Sequence, residues 1–267
     1  MDDAFLISWS ERNLRRHLTG VAARMPGASV LEHAGCTLVD SGLPSDALNV
    51  VCGARRHLLT SDDVRWVLSH YLDRQLPFTW WVGPTGLWAG DVLYQHGLAL
   101  TAIEMGMAGE LDQLELPSPG AWDLRRATSP EEVVDHARVL EVATTPPDET
   151  LPVFFEQAAG VILRPSTDRH LFLLYEDGIP LSTAELCVSE HIVGLYGVAT
   201  RPGARGRGLA TAVLADALRF ARDELHAETV VLQSNARARP LYRRLELRPI
   251  GEFHEFTPEA RDAEWAG

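Results

Sequence analysis

Between Val198 and Ala210 the chain passes from a strand-like stretch, Val198-Ala199-Thr200, through a glycine-rich basic loop, Arg205-Gly206-Arg207-Gly208, into a helical pattern opening at Leu209. That order of residue types builds an anion cradle. Gly206 and Gly208 allow close approach of the backbone to a ligand, successive N–H groups line a nest, and the helix start adds the positive end of its dipole. Arg205 and Arg207 add charge, so the chemistry expected is capture of a phosphate group. Three kinds of cofactor loop meet this description. A nucleoside-triphosphate loop requires Gly-Lys-Ser/Thr, and the sequence has no lysine, all 24 basic residues being arginine. A dinucleotide fingerprint would run Gly206-x-Gly208-x-x-Thr211, with threonine where the third glycine belongs and no acidic residue closing a second strand downstream. The third pattern, Arg/Gln-x-x-Gly-x-Gly/Ala, is met by Arg205, Gly208 and Ala210.

This third pattern resembles the pyrophosphate loop of the GNAT superfamily of acyl-CoA N-acetyltransferases. Downstream, Thr229 to Ser234 reads as a buried strand, followed by Asn235-x-x-Ala238-x-x-Leu241-Tyr242-x-x-Leu245-x-Leu247. That run is similar to the family's Asn-x-x-Ala-x-x-Leu-Tyr-x-x-Leu-Gly-Phe, departing at Glu246 and Leu247. The resemblance implies acetyl-CoA as cosubstrate, with its diphosphate on Arg205, Gly206, Arg207, Gly208, Leu209 and Ala210 and its pantetheine arm paired to backbone groups of Val198 and Thr200. It also implies that Tyr242 protonates the departing thiolate, which a phenol of pKa ~10 can do for a thiol of pKa ~8.5 without leaving much charge behind. Asn235 falls near pantetheine, with N-capping of the following helix as an equal reading.

A glutamate that many members carry upstream of the loop arginine falls here on Gly194. Glu190 and His191 then become the candidate bases, acting through water, ahead of His170 and Glu156; solvated turn charge is the competing reading for both. A site without a strong base suits an α-amine of pKa ~7.7–8.0 better than an alkyl amine of ~10.4, which is almost wholly protonated at neutral pH.

The net charge of −13 argues against a nucleic-acid partner and favours a cationic acceptor. Cys36, Cys52 and Cys187 show no metal spacing, so buried free thiols are expected and no metal. No apolar run is long enough to cross a membrane and the first residues lack a basic signal region, which predicts a cytoplasmic protein without a membrane partner.

The elements that must hold these residues divide at Leu116-Pro117-Ser118-Pro119-Gly120, where prolines and glycine break both periodicities, giving domains 1–118 and 119–267. In the second, Trp122 to Arg126 reads as a strand, Ser129-Pro130 as a helix start, and His170 to Val188 as a hairpin around Asp177-Gly178. Ile192 to Thr200 continues the sheet, and Arg207 to Leu225 is an amphipathic helix. In the first, Leu76 to Pro84 suggests a strand, with Trp80 and Trp81 in core and interface packing, and Asp91 to Leu98 a helix ending at Gly97. The resemblance implies an α/β (α+β) fold of two GNAT-like halves, each a mixed, mostly antiparallel sheet flanked by helices, the first degenerate and without a cofactor loop. The implied function is transfer of an acetyl group to a primary amine of a small molecule or peptide by direct attack in a ternary complex. The alternatives are a catalytically silent acyl-CoA-binding or partner-interaction module and an N-acyltransferase using a longer acyl-CoA.

Overall fold

One continuous sheet of eleven strands organises the computed structural model, which describes residues 2–56, 58–118 and 120–259. Pro119, within the expected linker, lies outside the described residues. The strands are β1 (Ser29–His33), β2 (Cys36–Asp40), β3 (Val50–Cys52), β4 (Thr79–Val82), β5 (Leu98–Glu110), β6 (Asp123–Arg126), β7 (Arg169–Glu176), β8 (Ile179–Ser189), β9 (Ile192–Thr200), β10 (Thr229–Ser234) and β11 (Arg248–Pro258). The helices are α1 (Asp3–Gly20), α2 (Ser61–Leu72), α3 (Ala89–Gln95), α4 (Pro130–Glu141), α5 (Thr150–Ile162), α6 (Leu209–Asp223) and α7 (Arg239–Arg243).

Local chemistry accounts for many of these boundaries. Asp177 and Gly178 both take positive φ and turn β7 into β8. Ser129 caps α4 by accepting from the Glu132 N–H, with Pro130 in its first turn. In α6, Val213, Leu214, Ala217, Leu218 and Ala221 recur at helical spacing and pack on Leu195, Val230 and Leu232. Val231, between those two β10 residues, points to the other face and meets Leu6 of α1. The sheet is thus covered by α6 on one face and α1 on the other.

The strand order is β1-β2-β3-β4-β11-β5-β10-β9-β8-β7-β6. It contains an internal repeat. Strands β1, β2 and β3 are antiparallel, α2 crosses over, and β4 returns parallel to β3; likewise β7, β8 and β9 are antiparallel, α6 crosses over, and β10 returns parallel to β9. Each unit then ends in a helix and a long strand, α3–β5 and α7–β11. The long strands are exchanged. β5 from the first unit lies between β10 and β11 of the second, while β11 lies between β4 and β5 of the first. The β5–β11 ladder spans Arg248↔Ala108 to Pro258↔Leu98 and welds the halves across the middle of the sheet. The expected linker falls between β5 and β6, after the first half's long strand has entered the second half's part of the sheet.

Candidate functional site

β9 and β10 pair only from Ile192↔Thr229 to Gly194↔Val231, and beyond that register β9 runs on without a ladder partner on its β10 side. The sheet therefore opens in its middle. Arg201 N–H donates to Leu181 O, and the Ala199 carbonyl accepts from Ser182 Oγ, so these residues address β8. Strand alternation turns the amide groups of Thr200, and of Val198 before it, toward the open side. A cleft of about 650 Å³ occupies that side, lined by Val198, Thr200, Arg205, Gly206, Gly208, Leu209, Ala210, Asn235 and Tyr242 among others.

The start of α6 faces this cleft bare. Gly206 and Gly208 adopt left-handed φ of 79° and 81°, Gly208 is the N-cap, and neither a capping side chain nor an acidic first-turn residue engages the N–H groups. A Cβ on either glycine would meet nothing within 4 Å, so the residues are glycine for their backbone angle and for whatever enters the cleft. The matching place in the first half is closed: α2 carries a capping box in which Thr60 and Asp63 satisfy the helix start with the helix's own carboxylate. Arg205 Nε donates to Thr200 O at 3.1 Å, bracing the loop against the strand. Arg207, expected on the diphosphate, is instead paired with Glu176 and does not line the cleft. Asn235 Oδ1 accepts from the Ala238 N–H at 2.9 Å, fulfilling the turn role into α7 while also lining the cleft.

Val198, Asn235, Ala238 and Tyr242 border a second chamber of about 440 Å³ on the α1 side of the sheet. Tyr242 is 4% exposed and packed in the α6 core, yet its hydroxyl has no hydrogen-bond partner among the described residues and is not sealed from the cavities it borders. The first half walls this chamber with Leu14 and His17 of α1, Asp46, Thr79 and Trp81 of β4, and Glu104 of β5; Glu255 comes from β11. Glu255 stands directly opposite Trp81 in the β11–β4 ladder. Its carboxylate makes no hydrogen bond or ion pair among the described residues, and burial, followed by the neighbouring Glu104 and Asp46, pushes it up to about 7. Burial also raises Glu104, against the pull of Arg239. Burial, then Glu104, raises the Tyr242 phenol, keeping it a proton donor over the neutral range.

Glu190 and His191 are not brought to either cavity. They form the exposed β8–β9 turn, at the end of β9 opposite the glycine-rich loop, where Glu190 takes a positive φ of 55° and the His191 carbonyl is bonded by Glu228 N–H. Gly194 has a steric reason to be glycine: a Cβ there would collide with Asn13 Oδ1 and the Tyr196 ring. Asn13 of α1 donates to Cys187 O at 3.0 Å and accepts from Tyr196 OH at 2.8 Å, so α1 fills the space into which a side chain at 194 would project. Beneath, Glu185 binds Arg169, with His17 Nδ1 at 3.2 Å; burial alone would raise its pKa, but Arg169 and the histidines hold it well below the carboxylate range. Asp46, Glu104, Glu255 and the α1 residues carry no motif, and only their tertiary placement identifies them. Among the described residues no cluster of three or more His, Cys, Asp or Glu is placed to hold a metal, and no helix is long and apolar enough to cross a membrane.

The family model of the acetyltransferase (GNAT) family matches residues 135–246. No curated protein matches the sequence. Among solved structures the chain is similar to a GCN5-related N-acetyltransferase from Kribbella flavida, with a TM-score of 0.71 and 18% identity over 94% of this chain and 96% of that one. It is similar to a GCN5-related N-acetyltransferase from Sphaerobacter thermophilus, with TM-score 0.57 and 19% identity over 84% and 80% of the two chains. A tandem GNAT protein from the clavulanic acid biosynthesis pathway, solved without AcCoA, aligns with TM-score 0.58 and 14% identity over 90% and 86%. At such identities the likeness is one of fold, and it extends over both halves.

Proposed function

We propose that this chain, which carries an acetyltransferase domain of the GNAT family over residues 135–246, moves an acetyl group from acetyl-CoA to a primary amine by direct attack with both substrates bound. The observation carrying this reading is the bare start of α6, whose left-handed glycines open on a cleft that continues past Tyr242 into a second chamber on the opposite face. The donor set fits the cosubstrate: N–H groups for a diphosphate, an unpaired strand edge for an amide-bearing arm, and no carboxylate between them. When bound, acetyl-CoA supplies an acetyl group activated as a thioester.

The residues of the chain then have distinct tasks. Arg205, Gly206, Gly208, Leu209 and Ala210 hold the diphosphate, and Val198 and Thr200 align the arm so that its sulfur reaches Tyr242. The acceptor enters the second chamber, where Asp46, Glu104 and Glu255 attract its ammonium form. Glu255 replaces Glu190 and His191 in the base role. Its carboxylate first takes a proton from the bound ammonium and passes it to solvent, freeing the nitrogen lone pair. It then takes the second proton that nitrogen sheds as the nitrogen–carbon bond forms, and the Tyr242 hydroxyl gives its proton to sulfur as the carbon–sulfur bond breaks. The balance closes when Glu255 releases this second proton as well and Tyr242 regains one, a net release of one proton for each ammonium acetylated. With such a base the acceptor is no longer confined to α-amines, because an alkyl ammonium can be both bound and deprotonated. Calorimetric titration of acetyl-CoA into wild type and Gly208→Asp tests the cofactor half of this reading. Wild type should bind, and the variant should not, since a side chain and a negative charge enter the nest; undiminished affinity in a folded Gly208→Asp protein overturns the reading.

A further inference from the structure

A side pocket of about 160 Å³ adjoins the acceptor chamber and takes no part in the chemistry just described. Its walls come from both halves of the chain: Leu18 and Val21 from α1, Val39 from β2, Leu48 from the loop before β3, and Leu151 and Phe155 from α5. The polar groups at its floor are engaged with one another. Arg169 binds Glu185 and the His17 carbonyl, donates to His17 Nδ1 at 2.6 Å, and lies 3.3 Å from Arg16 O. His17 in turn stacks on Tyr196, with ring centroids 3.7 Å apart. What remains open to an occupant is therefore mostly apolar surface, in a volume close to the ~150 Å³ of a protein cavity known to accept a benzene ring.

The pocket abuts the acceptor chamber, since His17, Leu18, Ala47 and Gly197 border both. Gly197 has no side chain to partition them. Its successor on β9, Val198, borders the cofactor cleft, and one residue of strand advances only ~3.3 Å. An amine whose ring sits in the pocket would extend past Gly197 into the chamber that Tyr242 and the carboxylates also line. On the reading of the site given above, we propose that the acceptor is an arylalkyl primary amine, its single ring in this pocket and its ammonium toward Glu104 and Glu255.

The test titrates 2-phenylethylamine and, as a ringless control, ethylamine into the CoA complex of wild type and of two variants that narrow the mouth, Ala47→Phe in an exposed loop and Leu18→Phe on α1. Phenylethylamine should bind wild type tighter than ethylamine by about tenfold or more, the scale expected for burying an aryl ring. Either plug should erase that advantage and leave acetyl-CoA affinity unchanged. Equal binding of the two amines by wild type overturns the inference. So does a folded Ala47→Phe protein that keeps the preference, or one that loses affinity for hexanoyl-CoA instead, which would make the pocket an acyl-chain site. Failure of acetyl-CoA to bind at all removes the cofactor reading, and the two amines titrated into the free protein then still decide the ring pocket.

Discussion

At the scale of single residues, the two groups proposed to handle protons reach the second chamber by different routes. Tyr242 sits in a motif and can be numbered from the sequence, whereas Glu255 lies near the C-terminal end of a strand without any signature and becomes visible only because β11 places it opposite Trp81. Tyr242→Phe should lower kcat by ~10²–10⁴ with little change in acetyl-CoA affinity, because it removes a donor and keeps the packed ring. Steady-state rates alongside calorimetry check this, and equal turnover would reduce Tyr242 to a packing residue. Glu255 predicts a pH signature. Only its carboxylate accepts a proton, so kcat/KM should rise through pH of about 7 in wild type. The Glu255→Gln protein should lack that rise, and Glu104→Gln should move it to lower pH by removing the neighbouring negative charge. The same group acts on stability in the opposite sense. Its folded pKa lies above the unfolded value of 4.5, so its contribution weakens as pH climbs from there through about 7. Glu255→Gln should accordingly raise Tm at pH 8 relative to wild type. A rate profile with an intact alkaline rise in the glutamine variant would remove Glu255 from the mechanism.

At the scale of elements, α1 is the part that local periodicity did not reveal and that changes the chemistry of its neighbours. By setting Asn13 against Gly194 and Tyr196, it occupies the position from which a carboxylate on β9 would otherwise act. Gly194→Ala should therefore destabilise the protein by about 1–3 kcal/mol, the usual cost of overpacking a closed site. Asn13→Ala in the same chain should recover part of the loss by making room for the methyl group. Denaturant midpoints for the four proteins of that cycle provide the measurement, and strict additivity would show that the two residues do not share the space. The contrast between α2 and α6 operates at this level too. One helix start is closed by its own Thr60 and Asp63, the other is left open by Gly208, and this difference is why the proposed diphosphate site falls in the second half.

At the scale of the whole molecule, the exchange of β5 and β11 makes the halves interdependent. Without β5, strand β10 loses its antiparallel partner from Thr229 to Ser234, and β11 loses the neighbour along most of its length. A chain of residues 119–267 alone leaves those edges exposed and removes the Asp46, Thr79, Trp81 and Glu104 side of the acceptor chamber. It should not melt cooperatively, and mixing with residues 1–118 should restore a single transition and acetyl-CoA binding together. A cooperative melt of 119–267 by itself would show that β5 is dispensable and that the halves are separable domains.

Several elements could be read from the sequence because their causes are local. The Asp177-Gly178 turn, the Ser129 cap, the β10 boundaries and the Arg205-to-Ala210 loop each depend on residues within a few positions of one another, where φ preference, capping and apolar spacing act. The glycine-rich edge of the cleft was legible for the same reason, since loop and helix start are contiguous in the chain. The pairing of Arg207 with Glu176 could not be read there because Glu176 lies on the β7–β8 hairpin, remote in the chain. The acceptor chamber is built the other way, from Asp46, Glu104 and Glu255 on separate elements brought together by strand pairing across the two halves. Pairing over such separations follows from burial summed over the entire sheet, and no short window of sequence contains that sum. The sequence by itself therefore determined the glycine-rich loop and the helix start it opens, because these are contiguous, while the tertiary structure alone decided which carboxylates line the second chamber and which half of the chain supplies them.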